Sequence, residues 1–248
     1  MKRRKKGGKG IAILPSLFTS ANLFCGFYAV VAALKGDFYR AAAAILIALV
    51  LDGLDGKIAR YTRTTSRFGV EYDSLADLVS FGMAPAILAY VWALMPVGRL
   101  GWLAAFLFVA CGALRLARFN TQVEVVDKRY FVGLPIPAAA TFVATGIILA
   151  RDVDLPVAPH VLALVALYGL SFLMVSTIRY FSFKSFDLFQ RRPFNTLVAV
   201  LLVLVVVAME PHFMIFVLVL GYVVSGPLLL LSPAGRPEEQ KTPTAKEA

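Results

Sequence analysis

The stretch LDGLDGKIARYTRTTSRFGVEYDSLAD, residues 51–77, decides how this chain is read. It places four aspartates, Asp52, Asp55, Asp73 and Asp77, inside an otherwise apolar sequence. An aspartate near the middle of a membrane-spanning helix costs about 2.5–3.5 kcal/mol on insertion scales, so four exposed to lipid would cost on the order of 10–14 kcal/mol. They must face a polar cavity or bind something that neutralises them. Asp52 and Asp55 are separated by three residues and Asp73 and Asp77 by four, so each pair shares one face of a helix. The basic connection from Arg60 to Arg67 turns the chain between them and lets the two acidic faces oppose. Asp52 precedes Arg60 by eight residues, or about 12 Å of helix, which puts the cluster just inside a membrane boundary. Four converging carboxylates form a hard-oxygen site suited to Mg²⁺ or Mn²⁺. The cluster has room for two ions, which could stabilise the attacking and leaving oxygens of an in-line displacement. Gly56 and Ala59 keep the face beside Asp55 small enough for a flat base or diphosphate to approach. Arg60 can pair with a phosphate oxygen, and Gly69 opens the start of the second acidic helix. Two other readings use the same residues: Asp/Gly pairs can mark a turn, and carboxylates at membrane depth can line a proton relay or cation path.

The surrounding sequence is that of a polytopic helical membrane protein. Of its 248 residues 59% are hydrophobic, against roughly 45–50% in soluble domains, and the mean hydropathy is +0.77. The excess falls in blocks long enough to cross a bilayer, about 20 residues each, and not in the ~10-residue alternating segments of a β-barrel. Eight spans are predicted, near 16–35, 39–60, 68–95, 98–117, 134–150, 157–178, 194–209 and 212–231. The net charge of +10 could suggest nucleic acid, but its placement fits the positive-inside rule instead. With a cytoplasmic N-terminus, all of the 25 Lys+Arg except Lys35, Arg40, Arg99 and Arg151 fall on the cytoplasmic side. The chain then reads as a basic cytoplasmic tail (1–10), one membrane domain (11–231) and a polar, disordered tail (232–248). The basic start followed by an apolar stretch also has the form of a signal peptide. Its apolar part, Ile11 to Leu34, exceeds a typical h-region and favours an uncleaved first helix. The connections 118–133 and 179–193 are predicted as interfacial loops or short amphipathic helices. Cys25 and Cys111 are isolated thiols inside spans and read as packing residues. His160 and His212, at the outer ends of spans, read as interfacial polar groups.

In residues 51–77 the chain resembles the CDP-alcohol phosphotransferase family, whose signature is D-x2-D-G-x2-A-R-x8-G-x3-D-x3-D. Asp52, Asp55, Gly56, Ala59, Arg60, Gly69, Asp73 and Asp77 fill every fixed position with matching gaps. The resemblance implies an all-α bundle with a six-helix core, here extended by two C-terminal spans. It implies two divalent ions held by the four aspartates, with Asp77 as general base. It further implies that CDP lies over Gly56 and Ala59, between the acidic helices and the first span, with Thr19 and Asn22 near its diphosphate or ribose. For those two residues, helix–helix hydrogen bonding is an equally good account.

Four more stretches are similar to the branch of the family that uses serine as acceptor. They are LFTSANLFCGFYAV (17–30), DSLADLVSFGMAPA (73–86), LRLARFN (114–120) and YFVGLPIPAAA (130–140). Residues 168–184 fit more loosely, and Ser16 departs from the Asn common in relatives. This resemblance implies CDP-diacylglycerol and L-serine as substrates and CMP as a product. It also implies a homodimer in the cell's inner (plasma) membrane with its active site facing the cytoplasm. It assigns Arg118 and Asn120 to the serine pocket. Serine is a zwitterion and needs a cation for its carboxylate, although Arg115 and Arg118 can equally be positive-inside anchors. Pro135 and Pro137 suit the first turn of a helix. A sister chemistry with glycerol 3-phosphate or inositol phosphate as acceptor stays open on residue grounds. So does a divalent-cation transporter, which would leave the interleaved Gly, Ala and Arg unexplained.

Overall fold

The computed structural model describes residues 13–62, 66–122, 130–152, 158–181, 201 and 210–231. Seven helices account for nearly all of them: α1 (Ile13–Leu34), α2 (Phe38–Thr62), α3 (Arg67–Val97), α4 (Arg99–Gln122), α5 (Ile136–Asp152), α6 (Pro159–Val175) and α7 (Pro211–Leu231). They coincide with seven of the eight predicted spans to within a few residues. The span near 194–209 and both tails lie outside the described residues. Helices α3, α4 and α7 and the Ser16–Leu34 part of α1 are long and apolar enough to cross a membrane, with α5 and α6 as shorter apolar helices.

Alanine brings the first two helices together. Ala29, Ala32 and Ala33 of α1 and Ala41, Ala44 and Ala48 of α2 are buried at helical spacing on facing sides. Between helices in lipid there is little hydrophobic drive, so small residues that let backbones approach supply the packing. The turn joining α1 and α2 needs Gly36 at φ 78°, a conformation glycine adopts without steric cost. Asp37 then caps α2, accepting the Arg40 amide at 3.1 Å. Around this pair, α3 packs on α1, α5 on α2, α6 on α4 and α7 on α5.

Helix α3 is not uniform. Ser66 caps it, accepting the Gly69 amide at 3.0 Å. Two wider π turns interrupt it, at Leu78–Met83 and Tyr90–Leu94. The first follows Asp77 directly and carries the Ala84 amide to the Val79 carbonyl, five residues back. It absorbs Pro85, whose ring would clash with the carbonyl four residues earlier in a regular helix. Single π turns are common at functional sites.

The connections after α4 and α6 depart from expectation. Residues 118–122 continue α4, and the described residues 130–132 and 179–181 form a two-stranded antiparallel ribbon, β1 (Tyr130–Val132) with β2 (Arg179–Phe181). Gly133 closes it at φ 79°, its amide donating to the Ile178 carbonyl at 2.8 Å. The ribbon spans two segments far apart in sequence, so periodicity within either gave no sign of it. Pro135 and Pro137 do flank the start of α5, where their missing amides cost nothing.

Candidate active site

Helix α2 brings Asp52 and Asp55 to its C-terminal half, and α3 brings Asp73 and Asp77 into its first three turns. The two pairs oppose each other, as their spacing predicts. One carboxylate oxygen from each of Asp52, Asp55 and Asp73 lies within 4.8 Å of the others. Asp77 approaches Asp52 to hydrogen-bonding reach. Asp55 and Asp77 are buried, while Asp52 and Asp73 are half-buried. Asp73 Oδ1 is buried without a hydrogen-bond partner. Carboxylates this close and this poorly solvated need a cation among them, and an all-oxygen donor set with an unsatisfied oxygen fits a hard divalent ion.

Helix α1 holds these carboxylates from behind. Thr19 donates its hydroxyl to Asp55 Oδ2 at 3.0 Å, and Asn22 donates Nδ2 to Asp77 Oδ1 at 3.2 Å. Thr19 and Asn22 are three apart on one face, so one stripe of α1 touches both acidic helices. Ser20 joins Tyr72 of α3 at 2.8 Å, and Ser80 donates to the Asn22 carbonyl at 3.0 Å. The contact is tight: a Cβ on Gly26 would sit 2.7 Å from Ser80 Cα. Of the two accounts the sequence left for Thr19 and Asn22, the helix–helix bonds form, and they form to the aspartates themselves. Asn22 Oδ1 is buried and unpartnered, which keeps one acceptor beside Asp77.

The other sequence-predicted residues divide. Gly56 lies beside Asp55 with nothing within 4 Å of where a Cβ would be, so the expected open face is there. At Gly69 a Cβ would meet Ser66 Oγ at 3.2 Å, and the residue belongs to the cap of α3. Ala59 and Arg60 lie in α2, but their side chains are outside the described residues. Asn120 of α4 donates Nδ2 to Ser74 Oγ at 3.0 Å, between the turns that carry Asp73 and Asp77. Arg118 is half-buried two residues earlier, and its carbonyl accepts the Thr121 hydroxyl.

Arg115 shares with Arg118 the reading of a positive-inside anchor, and the structure separates the two. Its Nε is buried without a partner, and the side chain lies within electrostatic reach of Asp77 and of Tyr222 on α7. Yet the ion pair found among the described residues is Arg40–Asp37, at the other end of α2. The spacing of Arg115 and Arg118 carried no signal to separate them, because residues three apart share a face. His212, expected at an interface, meets Tyr39 edge-on at the start of α2, far along that helix from the aspartates. Cys111 is a buried free thiol and Cys25 a half-buried one, as packing residues would be.

An apolar helical bundle closed around four carboxylates at one end is the form of a membrane-embedded enzyme working on a charged group at the lipid boundary. The sequence profile of CDP-alcohol phosphatidyltransferases matches residues 12–175, which run from α1 to the end of α6. The chain belongs to this family of transferases. A Helicobacter pylori protein named CDP-diacylglycerol–serine O-phosphatidyltransferase is 42% identical over 175 residues, 69% of this chain and 73% of that protein. A Bacillus subtilis protein of the same name is 37% identical over 171 residues, 69% of this chain and 91% of its own. One from Methanocaldococcus jannaschii is 47% identical over 96 residues, 39% and 44% of the two chains.

Proposed function

We propose that this chain transfers the phosphatidyl group of CDP-diacylglycerol to the hydroxyl of L-serine, releasing phosphatidylserine and CMP. The observation that carries the reading is the convergence of four aspartates from two helices, held by Thr19 and Asn22 of a third. Family membership and the names of the relatives support the donor and the acceptor. Asp52, Asp55, Asp73 and Asp77 are the residues that would hold two Mg²⁺ or Mn²⁺ ions, which when bound neutralise the diphosphate and stabilise its oxygens.

The chain's own residues then have distinct roles. The open face at Gly56 receives the cytidine diphosphate, with Ala59 beside it in sequence, and Arg60 pairs with the phosphate that leaves with CMP. Gly69 lets Ser66 cap the helix that carries Asp73 and Asp77. Asn22 fixes the Asp77 carboxylate through Oδ1, and Asp77 accepts the serine hydroxyl proton. The serine oxygen forms a bond to the lipid-side phosphorus as the bond from that phosphorus to the CMP oxygen breaks. Fixed positioning of this kind supplies much of the barrier reduction in phosphoryl transfer. Asn120 and Arg118 line the serine side, and Arg115, half-buried, offers its guanidinium to the serine carboxylate. The acyl chains remain in the bilayer. The site faces the cytoplasm, a side that the distribution of Lys and Arg supports; the inner (plasma) membrane and a homodimeric enzyme, both implied by the family resemblance, complete the proposal.

A half-buried arginine would also suit a phosphorylated acceptor, so the test uses a panel. Purified protein is given CDP-diacylglycerol, Mn²⁺ or Mg²⁺, and serine, glycerol 3-phosphate or inositol phosphate, and CMP release is measured. Serine-dependent release is expected. Release with a different acceptor alone would overturn the serine assignment, and metal flux without nucleotide dependence would overturn the enzyme.

A further inference from the structure

The acidic turns of α3 are tied to neighbouring helices on two sides. Tyr72 shares a hydrogen bond with Ser20 of α1 at 2.8 Å, and Ser74 accepts one from Asn120 of α4 at 3.0 Å. The second tie has a fixed direction, whereas in the first either hydroxyl can donate. The Ser74 hydroxyl gives its one proton to the Val70 carbonyl at 3.1 Å, one turn back on the same helix. A serine hydroxyl has one proton and two lone pairs, so toward Asn120 it can only accept. A side-chain amide has a donor end and an acceptor end. Turned the other way, Asn120 would set its Oδ1 against an oxygen with no proton to give, and leaving a half-buried acceptor unsatisfied is costly. Ser74 therefore selects the Nδ2 end of the amide, and Oδ1 takes the side turned away from Ser74.

This choice is made at the edge of the carboxylate cluster. Ser74 stands between Asp73 and Asp77 in the chain, and both Ser74 and Asn120 are half-buried, so the amide is still open to a small molecule. The metal and cytidine roles described above make no use of the Asn120 oxygen. A carbonyl oxygen accepts a hydrogen bond from an ammonium, and its partial negative charge repels the oxygens of a phosphate.

We infer that Ser74 is a positioning residue for the acceptor: by accepting from Asn120 Nδ2 it turns Asn120 Oδ1 toward the acceptor, to receive the ammonium of an amino alcohol and disfavour a phosphorylated alcohol. This rests on the serine reading given above. It places part of acceptor selection in the helix that also carries Asp73 and Asp77.

The test compares serine with 3-hydroxypropionate, which keeps the hydroxyl and the carboxylate and lacks the amine. Serine-dependent CMP release by the full chain gives kcat and KM, and 3-hydroxypropionate is added as a competitor to give its inhibition constant. Ser74→Ala is expected to raise the KM for serine about tenfold, the scale of one hydrogen bond to a charged group. The kcat, the KM for CDP-diacylglycerol and the inhibition constant of 3-hydroxypropionate should change less than about twofold. Ser74→Thr keeps the hydroxyl and should keep the parent KM. Asn120→Ala should raise the serine KM at least as far as Ser74→Ala, and it carries the comparison of the two ligands if Ser74→Ala does not fold. Adding Ser74→Ala to Asn120→Ala should have no further effect, since residues acting through one interaction are not additive. Tyr72→Phe cuts the other tie of the same turns, so it should lower thermal stability and leave the preference for serine over 3-hydroxypropionate intact. Equal weakening of serine and 3-hydroxypropionate, an unchanged serine KM, or additive effects in the double variant would overturn the inference. If the parent enzyme itself releases CMP with glycerol 3-phosphate or inositol phosphate and not with serine, it is the serine reading that fails.

Discussion

Replacing Gly26 with alanine should damage catalysis without touching any residue of the site. The added Cβ would lie 2.7 Å from Ser80 Cα and 2.9 Å from Ser80 Cβ. Ordinary contact begins near 3.4 Å, so α1 and α3 must part by about 0.7 Å. Asn22 sits one turn before Gly26 and its bond to Asp77 is already 3.2 Å long. A separation of that size carries it past 3.5 Å, where it no longer counts as a hydrogen bond. A hydrogen bond to a charged group is worth about 1.5–3 kcal/mol, so kcat should fall roughly ten- to hundredfold. Displacements of 1 Å at a distance from the chemistry have costs of that order. Initial rates of CMP release over a range of CDP-diacylglycerol and serine would measure it. Gly169→Ala, where a Cβ meets nothing within 4 Å, serves as the control and should be neutral. Adding Ser80→Ala should not rescue Gly26→Ala, because the nearest described carbon is backbone. A Gly26→Ala enzyme with kcat within twofold of the parent would refute the claim that α1 positions Asp77.

Three further outcomes are expected. Asp77→Asn should abolish CMP release while CDP-diacylglycerol still binds, and retained turnover would remove Asp77 as the base. Thr19→Val should weaken Mn²⁺ activation about 10- to 100-fold, the usual effect of losing a group that orients a metal-binding carboxylate, read as a shift in the Mn²⁺ concentration giving half-maximal rate. Gly133→Ala forces a side chain into φ 79° and 3.2 Å from the Ser176 carbonyl. The conformation alone costs about 1–2 kcal/mol, so the unfolding midpoint in detergent should drop by several degrees, and an unchanged midpoint would contradict it.

The aspartates and the helices that carry them were legible because two local signals agreed. Their spacing of three and four put each pair on one face, and the expense of carboxylates in lipid required the faces to meet. The roles of Thr19 and Asn22 were open because a polar side chain in an apolar helix has two kinds of partner, a ligand or another helix. Only the phase of α1 against α2 and α3 decides that, and it is a relation between segments 36 and 55 residues apart. The ribbon between 130–132 and 179–181 was hidden for the same reason. Arg115 was hidden differently: a basic residue at a helix end already had a sufficient explanation in membrane topology. The same economy passed over Tyr222, one aromatic among many in an apolar helix, whose ring neighbour Tyr180 on β2 comes from a distant part of the chain.

The stripe on α1 has a consequence for how the protein is made. Thr19 and Asn22 leave the ribosome before the carboxylates they will hold. At about 5–20 residues per second, Asp55 follows Thr19 by roughly 2–7 s and Asp77 follows Asn22 by roughly 3–11 s. During that interval the first helix has a hydroxyl and an amide without their eventual acceptors. Each acidic helix then arrives to a donor already waiting, so the order of translation is also the order in which the charges of this enzyme are received into the bilayer.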